Sequence, residues 1–313
     1  MAIYEFKSTD GQSTVKYRIW EAKGETKAIL QIIHGMSEHI ARYDPFASWL
    51  AENGITVVGD DHIGHGMSSD PADYGYFGEK DGHKRLVDDE EELRLIMRAK
   101  YPGAPYFMLG HSMGSFMLRA WLALYGAKSD IAGAIVMGTC GPNKMLPAGI
   151  FLAKTLKLLK GGRAKSKLLS DLTLGPYRKP FTGEASSNAW LSTVPEVSAD
   201  YDADPMSGFP FTIGGYVDLF ALINFVTSEG WYGMVPKDID LLVCSGKEDP
   251  VGDFGKGPEL TAEKLREAGC SVELKLYEGM RHEVLGEASK GEVWKDMMNF
   301  IKSHPGSEGA WLI

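Results

Sequence analysis

Short, continuously apolar runs alternate with amphipathic segments along the first half of the chain and again near its end. Runs such as AILQIIHG (28–35) and ITVVGDD (55–61) are typical of strands buried on both faces of a parallel sheet. Because strands and helices alternate, we predict an α/β fold with a mostly parallel central sheet and helices on both faces. Further strands are predicted at 14–20, 105–112, 131–139, 240–249 and 271–279, and helices at 43–54, 83–103, 113–126, 257–269 and 293–304.

The alternation stops near Cys140. Residues 140–235 contain basic amphipathic sequence, Pro- and Gly-rich turns and scattered aromatic residues, but no buried-strand pattern. The simplest division is a core formed by residues 1–139 and 236–313, with residues 140–235 inserted between them as a helical cap. A chain of 313 residues with 44% apolar side chains is long enough for such a core.

Charge and cysteine content argue against several classes of protein. The formal net charge is −9, whereas nucleic-acid binding requires a basic face. Three cysteines without paired spacing predict neither a disulfide framework nor a zinc site. The sequence has no signal-peptide pattern and no apolar run long enough to span a membrane. We therefore expect a cytoplasmic protein with no metal, no organic cofactor, no nucleic-acid partner and no obligate protein partner.

A Gly-His-Ser-Met-Gly pentapeptide at residues 110–114 directly follows one predicted strand and directly precedes a predicted helix. This context favours a strained turn that raises the hydroxyl of Ser112 above the sheet edge. Glycines at its two ends allow strand and helix to approach closely, where a Cβ atom would clash. Ser112 is therefore a candidate nucleophile, provided that a base removes its proton. The alternative is a chance Gly-Ser turn.

A serine at such a turn requires an acid and a histidine, which follow it in that order along the chain. Asp249 comes after the predicted strand DLLVCSG and is our candidate acid, with Glu248 and Asp253 as alternatives. His282 comes after the last predicted strand and is our candidate base. His304 lies in the tail beyond the last helix and is a poorer candidate.

Backbone N–H groups that would bind a developing oxyanion are predicted at two places. One is Met113, the residue after the candidate nucleophile, and the other is Met36 in the loop after AILQII. Only the backbone is required, so both side chains can vary. Losing one such donor costs roughly 3–4 kcal/mol of transition-state stabilisation.

Three motifs, HGMSEH (34–39), DHIGHGMS (61–68) and GHSMG (110–114), together resemble the monoacylglycerol lipase and lysophospholipase branch of the α/β-hydrolases. The resemblance covers the whole predicted core and extends more weakly to YDADPMSG (201–208) in the cap. The rest of the cap departs from the mammalian lipases.

The resemblance implies an α/β-hydrolase fold with Ser112, Asp249 and His282 as its catalytic triad. It also implies oxyanion donors at Met36 and Met113. In DHIGHGMS the two glycines are expected to shape a turn, and the histidines are expected to support the site or the turn without acting as catalysts.

The cap begins with a basic segment, residues 144–167, in which seven positive residues alternate with large apolar ones and no acid occurs. Such a helix is typical of a segment that contacts a membrane surface transiently. An ordinary cap helix with solvated lysines fits slightly better. Cap aromatics that are candidates to line an acyl pocket are Trp190, Phe209, Phe211, Tyr216, Phe220 and Phe225. Substrate contacts are expected from Gly35, His111, Phe151 and Phe209.

Together these features predict a serine hydrolase that cleaves carboxylic esters through an acyl-enzyme on Ser112. A monoacylglycerol or a lysophospholipid is the favoured small-molecule substrate. The first alternative is a general carboxylesterase for short or aromatic esters, which would use the same groups. The second is a catalytically silent ligand-binding homologue, which the complete set of candidate residues disfavours.

Overall fold

The computed structural model describes residues 2–303, so His304 lies outside the described residues. Its strands are β1 (Ile3–Lys7), β2 (Thr14–Trp20), β3 (Ala28–Ile33), β4 (Ile55–Asp61), β5 (Tyr106–His111), β6 (Ile131–Met137), β7 (Asp240–Gly246) and β8 (Val272–Tyr277). They form one sheet in the order β1-β2-β4-β3-β5-β6-β7-β8. The β1–β2 and β2–β4 pairs are antiparallel and all other neighbours are parallel, as the apolar runs predicted.

Helices pack on both faces of the sheet. On one face lie α1 (Asp44–Glu52) and α10 (Lys290–Lys302), which bury Phe46 and Met297 against it. On the other face lie α2 (Gly82–Lys100), α3 (Met113–Leu124) and α9 (Lys256–Glu267). Alternate residues of the central strands point into these two cores, because side chains along a strand alternate between faces. This arrangement confirms the predicted fold class.

Between β6 and β7 the chain forms helices and turns. The helices are α4 (Leu146–Lys160), α5 (Lys167–Arg178), α6 (Pro195–Ala203), α7 (Ile213–Val226) and α8 (Glu229–Met234). A single bridge between Lys165 and Thr212 is the one isolated strand contact found within residues 2–303. The division of the chain into core and cap stays a prediction.

A buried arginine on α3 contacts this helical segment at two points that are distant in sequence. Arg119 is 0% exposed, and its Nη1 donates to Cys140 O at 3.0 Å. Its Nη2 donates to Val226 O at the end of α7. The guanidinium lies 4.5 Å above the ring of Trp231, and burial lowers its pKa. One side chain therefore holds two points of the chain that are more than eighty residues apart.

Candidate active site

The carboxyl ends of four parallel strands bring the candidate residues together. Ser112 directly follows β5, and loop 34–38 directly follows β3. Asp249 follows β7, and His282 follows β8. Because these ends meet at one edge of the sheet, residues distant in sequence become neighbours. The cavity at this edge, called the central cavity below, is lined by Ser112, His282, Met36 and Met113.

Ser112 lies in a strained turn between β5 and α3. Its φ of 53° and ψ of −120° are values that residues with a Cβ rarely adopt. A Cβ at Gly110 would lie 2.3 Å from the carbonyl oxygen of Gly114, and a Cβ at Gly114 would lie 2.0 Å from that of Ile33. Both glycines are therefore required for this close packing. The geometry is that of a nucleophile elbow.

Asp249 and His282 form a buried pair. The Nδ1 of His282 lies 2.9 Å from Asp249 Oδ2, and the same carboxylate accepts from Ser245 Oγ at 2.9 Å and Val251 N–H at 2.8 Å. Burial opposes ionisation of Asp249, but His282 and these donors hold the pKa of the carboxyl below its usual range. An ionised Asp249 keeps a proton on His282 Nδ1, which leaves Nε2 free to act as a base.

The two alternative acids point elsewhere. Glu248 is exposed to solvent, and no side-chain hydrogen bond to His282 is found for it within the described residues. Asp253 is also exposed, and its carboxylate lies 3.4 Å from the ammonium group of Lys256. Of the three acids that follow β7, Asp249 is the one that contacts His282.

The expected oxyanion donors lie at the start of α3 and in loop 34–38. Met113 is the first residue of α3, where backbone N–H groups have no partner within the helix. In loop 34–38, Gly35 N–H donates to Glu38 Oε1 at 2.6 Å and Ser37 N–H donates to His65 Nε2 at 3.3 Å. Within residues 2–303, no partner is found for the N–H of Met36, which lies between them.

Glu38 links the loop to the histidines of the site. Its Oε1 accepts from Tyr43 Oη at 2.9 Å, and its Oε2 accepts from Arg42 Nη1 at 2.6 Å. Burial opposes its charge, but hydrogen bonding to His111 and the charge of Arg42 hold the pKa of Glu38 well below its usual range. The Nε2 of His111 lies 3.3 Å from the carbonyl oxygen of His282. Sequence reasoning missed Glu38, Arg42 and Tyr43.

The chain is similar throughout its length to known hydrolases. The family model described as serine aminopeptidase, S33, matches residues 24–289. The chain belongs to this family of α/β-hydrolases. Its relatives include a monoacylglycerol lipase of Mycolicibacterium smegmatis, 29% identical, with 94% of this chain and 95% of that protein covered. The human monoglyceride lipase is 28% identical, with 85% and 78% covered.

A solved structure extends the similarity to three dimensions. The thermostable carboxyl esterase from Bacillus coagulans has a TM-score of 0.90 and 31% identity, and the match covers 96% of this chain and 98% of the esterase. These relationships confirm the resemblance that the three motifs indicated. They support a serine hydrolase that acts on carboxylic esters.

In this α/β-hydrolase the DHIGHGMS motif supports the turn after β4. Asp61 accepts from the N–H groups of Ile40 and Met67, each at 2.8 Å. A Cβ at Gly66 would lie 2.4 Å from the Asp61 carboxylate. His65 is buried among aromatic rings, and burial lowers its pKa to about 3, so it remains neutral and accepts a hydrogen bond.

The walls of the central cavity come largely from the segment between β6 and β7. Gly35, His111 and Phe209, three of the expected contacts, line it. Phe151 does not, because it lies on the outer side of α4 with 75% of its surface exposed. The expectation that Phe151 contacts substrate in this cavity is therefore wrong for this conformation. The lining from this segment consists of Thr173, Leu174, Tyr177, Arg178, Asn188, Trp190, Leu191, Tyr201, Gly208, Phe209, Leu219 and Ile223.

Of the other candidate aromatics, Trp190 lines the cavity, with its ring 5.1 Å from that of His282. Phe211, Tyr216 and Phe220 are buried in the hydrophobic core, where most aromatic side chains pack. Phe225 is partly buried against the same core. Sequence alone did not separate these two groups.

Proposed function

We propose that this α/β-hydrolase cleaves esters of one medium or long acyl chain and a small polar head, such as monoacylglycerols or lysophospholipids. The observation that carries the proposal is the buried Asp249–His282 pair, whose histidine lines the same partly apolar cavity as Ser112. The alternative favoured by the similarity to the Bacillus coagulans esterase is a general carboxylesterase that uses the same groups.

The chemistry follows from these positions. His282 Nε2 takes the Ser112 proton as Oγ attacks the ester carbonyl carbon, and the carbonyl oxygen becomes an oxyanion bound by the N–H groups of Met36 and Met113. The intermediate collapses to an acyl-enzyme, and His282 returns the proton to the leaving alcohol. Water then attacks the acyl-enzyme by the same steps and releases the acid. Asp249 stays ionised and stabilises the imidazolium.

The cavity wall supports an acyl chain over a compact substrate. Leu174 of α5 and Leu219 and Ile223 of α7 contribute aliphatic surface to the cavity lining. Burial of a chain gains ~0.8 kcal/mol per methylene, so four additional methylenes contribute about 3 kcal/mol. Phe209 and Trp190 add aromatic surface to this wall.

We expect kcat/KM for p-nitrophenyl esters to rise by roughly a hundredfold from C4 to C8 or beyond. The series should run from C2 to C14, below the concentrations at which micelles form. Leu174→Trp should shorten the preferred chain by filling the cavity. Leu172→Trp, an exposed position on the same helix, is the matched control and should leave the preference unchanged. A steady fall beyond C4 would contradict the lipase proposal and favour the carboxylesterase.

We also propose that α4 contacts lipid surfaces. Phe151, Leu158 and Leu159 are 75%, 87% and 73% exposed. Leu158 and Leu159 follow Phe151 by seven and eight residues, which puts all three side chains on one side of the helix. Lys154, Lys157 and Lys160 alternate with them. An exposed apolar face bordered by lysines is typical of helices that lie in the interface of an anionic membrane. Among the described residues, no helix has the length and apolarity needed to cross a membrane.

Vesicles of phosphatidylcholine and phosphatidylglycerol test this contact. We expect Phe151→Ser with Leu158→Ser to weaken cosedimentation at least about tenfold, because each buried side chain contributes ~1.5–3 kcal/mol. Leu95→Ser with Leu124→Ser removes two exposed leucines from the core helices and serves as the control. Hydrolysis of a soluble C4 ester should be unaffected. Equal binding by both double variants would contradict the proposal.

A further inference from the structure

His62 lies directly behind loop 34–38 but does not line the central cavity. Its side chain is 1% exposed, and its ring stacks on that of His34 with centroids 3.7 Å apart and 16° between planes. The Nε2 of His62 is 3.1 Å from His34 O, and the N–H of His62 donates to His34 Nε2 at 3.1 Å. Backbone and side chain of His34 are therefore both held by His62.

These contacts determine where the protons lie. Because His34 Nε2 accepts, its proton is on Nδ1, which is 2.8 Å from Gly35 O and donates to it. Burial and the neighbouring His62 hold the pKa of His34 well below its usual range, in agreement with a neutral ring. His62 Nε2 carries a proton because the atom it contacts, His34 O, can only accept.

The same contacts orient the Met36 N–H. The carbonyl of Gly35 and the N–H of Met36 belong to one planar peptide group and point in opposite directions. The bond from His34 Nδ1 to Gly35 O therefore fixes the direction of the Met36 N–H. The preceding peptide is fixed at both ends, by His62 at the His34 carbonyl and by Glu38 at the Gly35 N–H.

Two buried carboxyl groups hold His62 from its other side. Its Nδ1 is 3.2 Å from Asp60 Oδ2 and 3.2 Å from Glu90 Oε1, and both acids are at most 2% exposed. Glu90 Oε2 accepts from Gln31 Nε2 at 2.7 Å. Burial and the charge of Asp60 raise the pKa of Glu90 well above its usual range. Although burial opposes the charge of His62, Asp60 raises its pKa. Both shifts favour the protonated forms of Glu90 and His62, which lowers the net negative charge buried at this site.

We propose that His62, held by Asp60 and Glu90, is a positioning residue for ester hydrolysis that aims the Met36 N–H at the oxyanion through His34. The inference rests on the proposed oxyanion role of Met36. Gly35 has no Cβ to restrict its backbone, so the peptide between Gly35 and Met36 rotates readily unless its carbonyl is held. Full loss of one oxyanion donor lowers kcat by about 10²–10³.

The test is His62→Leu, measured with a soluble p-nitrophenyl ester and with a trifluoromethyl ketone of the same acyl chain. The ketone accepts Ser112 Oγ and presents an oxyanion, whereas the corresponding fluorinated alcohol does not. We expect kcat to fall at least about thirtyfold and the affinity for the ketone to fall in parallel. KM and the affinity for the alcohol should change by less than about threefold, which a loss of general stability would not produce.

A second pair of variants keeps His62 in place. Glu90→Gln retains a neutral hydrogen-bonding group beside Nδ1, whereas Glu90→Leu removes it. We expect kcat of Glu90→Leu to be at least about fivefold below that of Glu90→Gln. Asp89→Asn is the control, because this neighbouring buried carboxylate contacts Ser8 and Thr9 and not loop 34–38. If a urea titration shows that His62→Leu is unfolded, the two Glu90 variants provide the test of the proposal.

Three results would overturn the proposal. The first is a folded His62→Leu enzyme whose kcat and ketone affinity lie within about twofold of wild type, or Glu90→Leu and Glu90→Gln enzymes that both lie within that range. The second is a parallel loss of affinity for the alcohol. The third is one equivalent of divalent metal in the purified protein, because Asp60, His62 and Glu90 also offer three ligand atoms within 4.8 Å of one another. Failure of a fluorophosphonate to label wild-type Ser112 would instead contradict the proposed function itself.

Discussion

Ser112→Ala should abolish ester hydrolysis, with an expected loss of about 10⁶-fold in kcat. The substitution removes only the hydroxyl at which the acyl-enzyme would form, so no other group can complete the covalent step. Alanine retains the Cβ that already occupies the strained turn with φ of 53°, and the fold should be retained. The measurement is kcat/KM on the preferred p-nitrophenyl ester, together with the urea midpoint of unfolding.

Trace esterase from the expression host is the main source of false activity in this experiment. Fluorophosphonate titration of wild type and variant gives the fraction of reactive serine in each preparation. Once that background has been subtracted, turnover above about one part in a thousand of wild type would mean that Ser112 is not the nucleophile.

Asp249→Asn should lower kcat by about 10⁴-fold while changing KM little. The carboxylate accepts from His282 Nδ1 at 2.9 Å, and an amide nitrogen in its place favours the tautomer with the proton on Nε2. An Nε2 that carries a proton cannot take one from Ser112. Because the volume of the side chain is unchanged, the geometry of the turn after β7 should be retained.

Asp253→Asn is the matched control for this substitution. It changes the same type of group four residues away, where the carboxylate is exposed and lies near Lys256. Surface ion pairs contribute about 0–1 kcal/mol, so neither activity nor stability should change measurably. If Asp253→Asn, or Glu248→Gln, proved more damaging than Asp249→Asn, our assignment of the acid would be wrong.

The strands were predicted well wherever burial leaves a clear pattern in the sequence, a continuous apolar run for strands buried on both faces and an alternating one for β2. β2 and β4 begin and end at the predicted residues, and β3, β5 and β6 end one or two residues earlier than predicted. β1 was not predicted. Four of its five residues are exposed at the sheet edge, so the pattern of a buried strand is absent from its sequence.

The meeting of Ser112, Asp249 and His282 at one edge of the sheet was predictable because each follows a recognisable strand, while their catalytic roles stay predictions. The contact of Glu90 with His62 was not predictable, because Glu90 lies in the acidic run DDEEE (88–92), which has the composition of a solvated helix face. In the structure Glu90 points inward from α2, and its Oε1 lies 3.2 Å from Nδ1 of His62, which follows β4. Sequence spacing carries no information about such a contact, since its two partners belong to different elements.

Phe151 illustrates the opposite error. Apolar residues at helical spacing predict an inward face, and this side chain was expected to meet substrate. The face of α4 that packs inward buries Ala153, whereas Phe151, Leu158 and Leu159 project outward. The periodicity of apolar residues shows that a helix has an apolar face, but it does not show what that face contacts.

The position of Arg119 bears on how new substrate specificities could be built into this scaffold. Its guanidinium holds Cys140 O, shortly after β6, and Val226 O, at the end of α7. Both acceptors are main-chain carbonyls, which any amino acid supplies at these positions. A chimera that exchanges residues 141–225 for the equivalent segment of a relative would therefore retain its attachment point. Cuts made on the far side of either carbonyl would make this contact depend on the backbone path of the inserted segment, and a different path would deprive the buried guanidinium of that acceptor and hinder assembly.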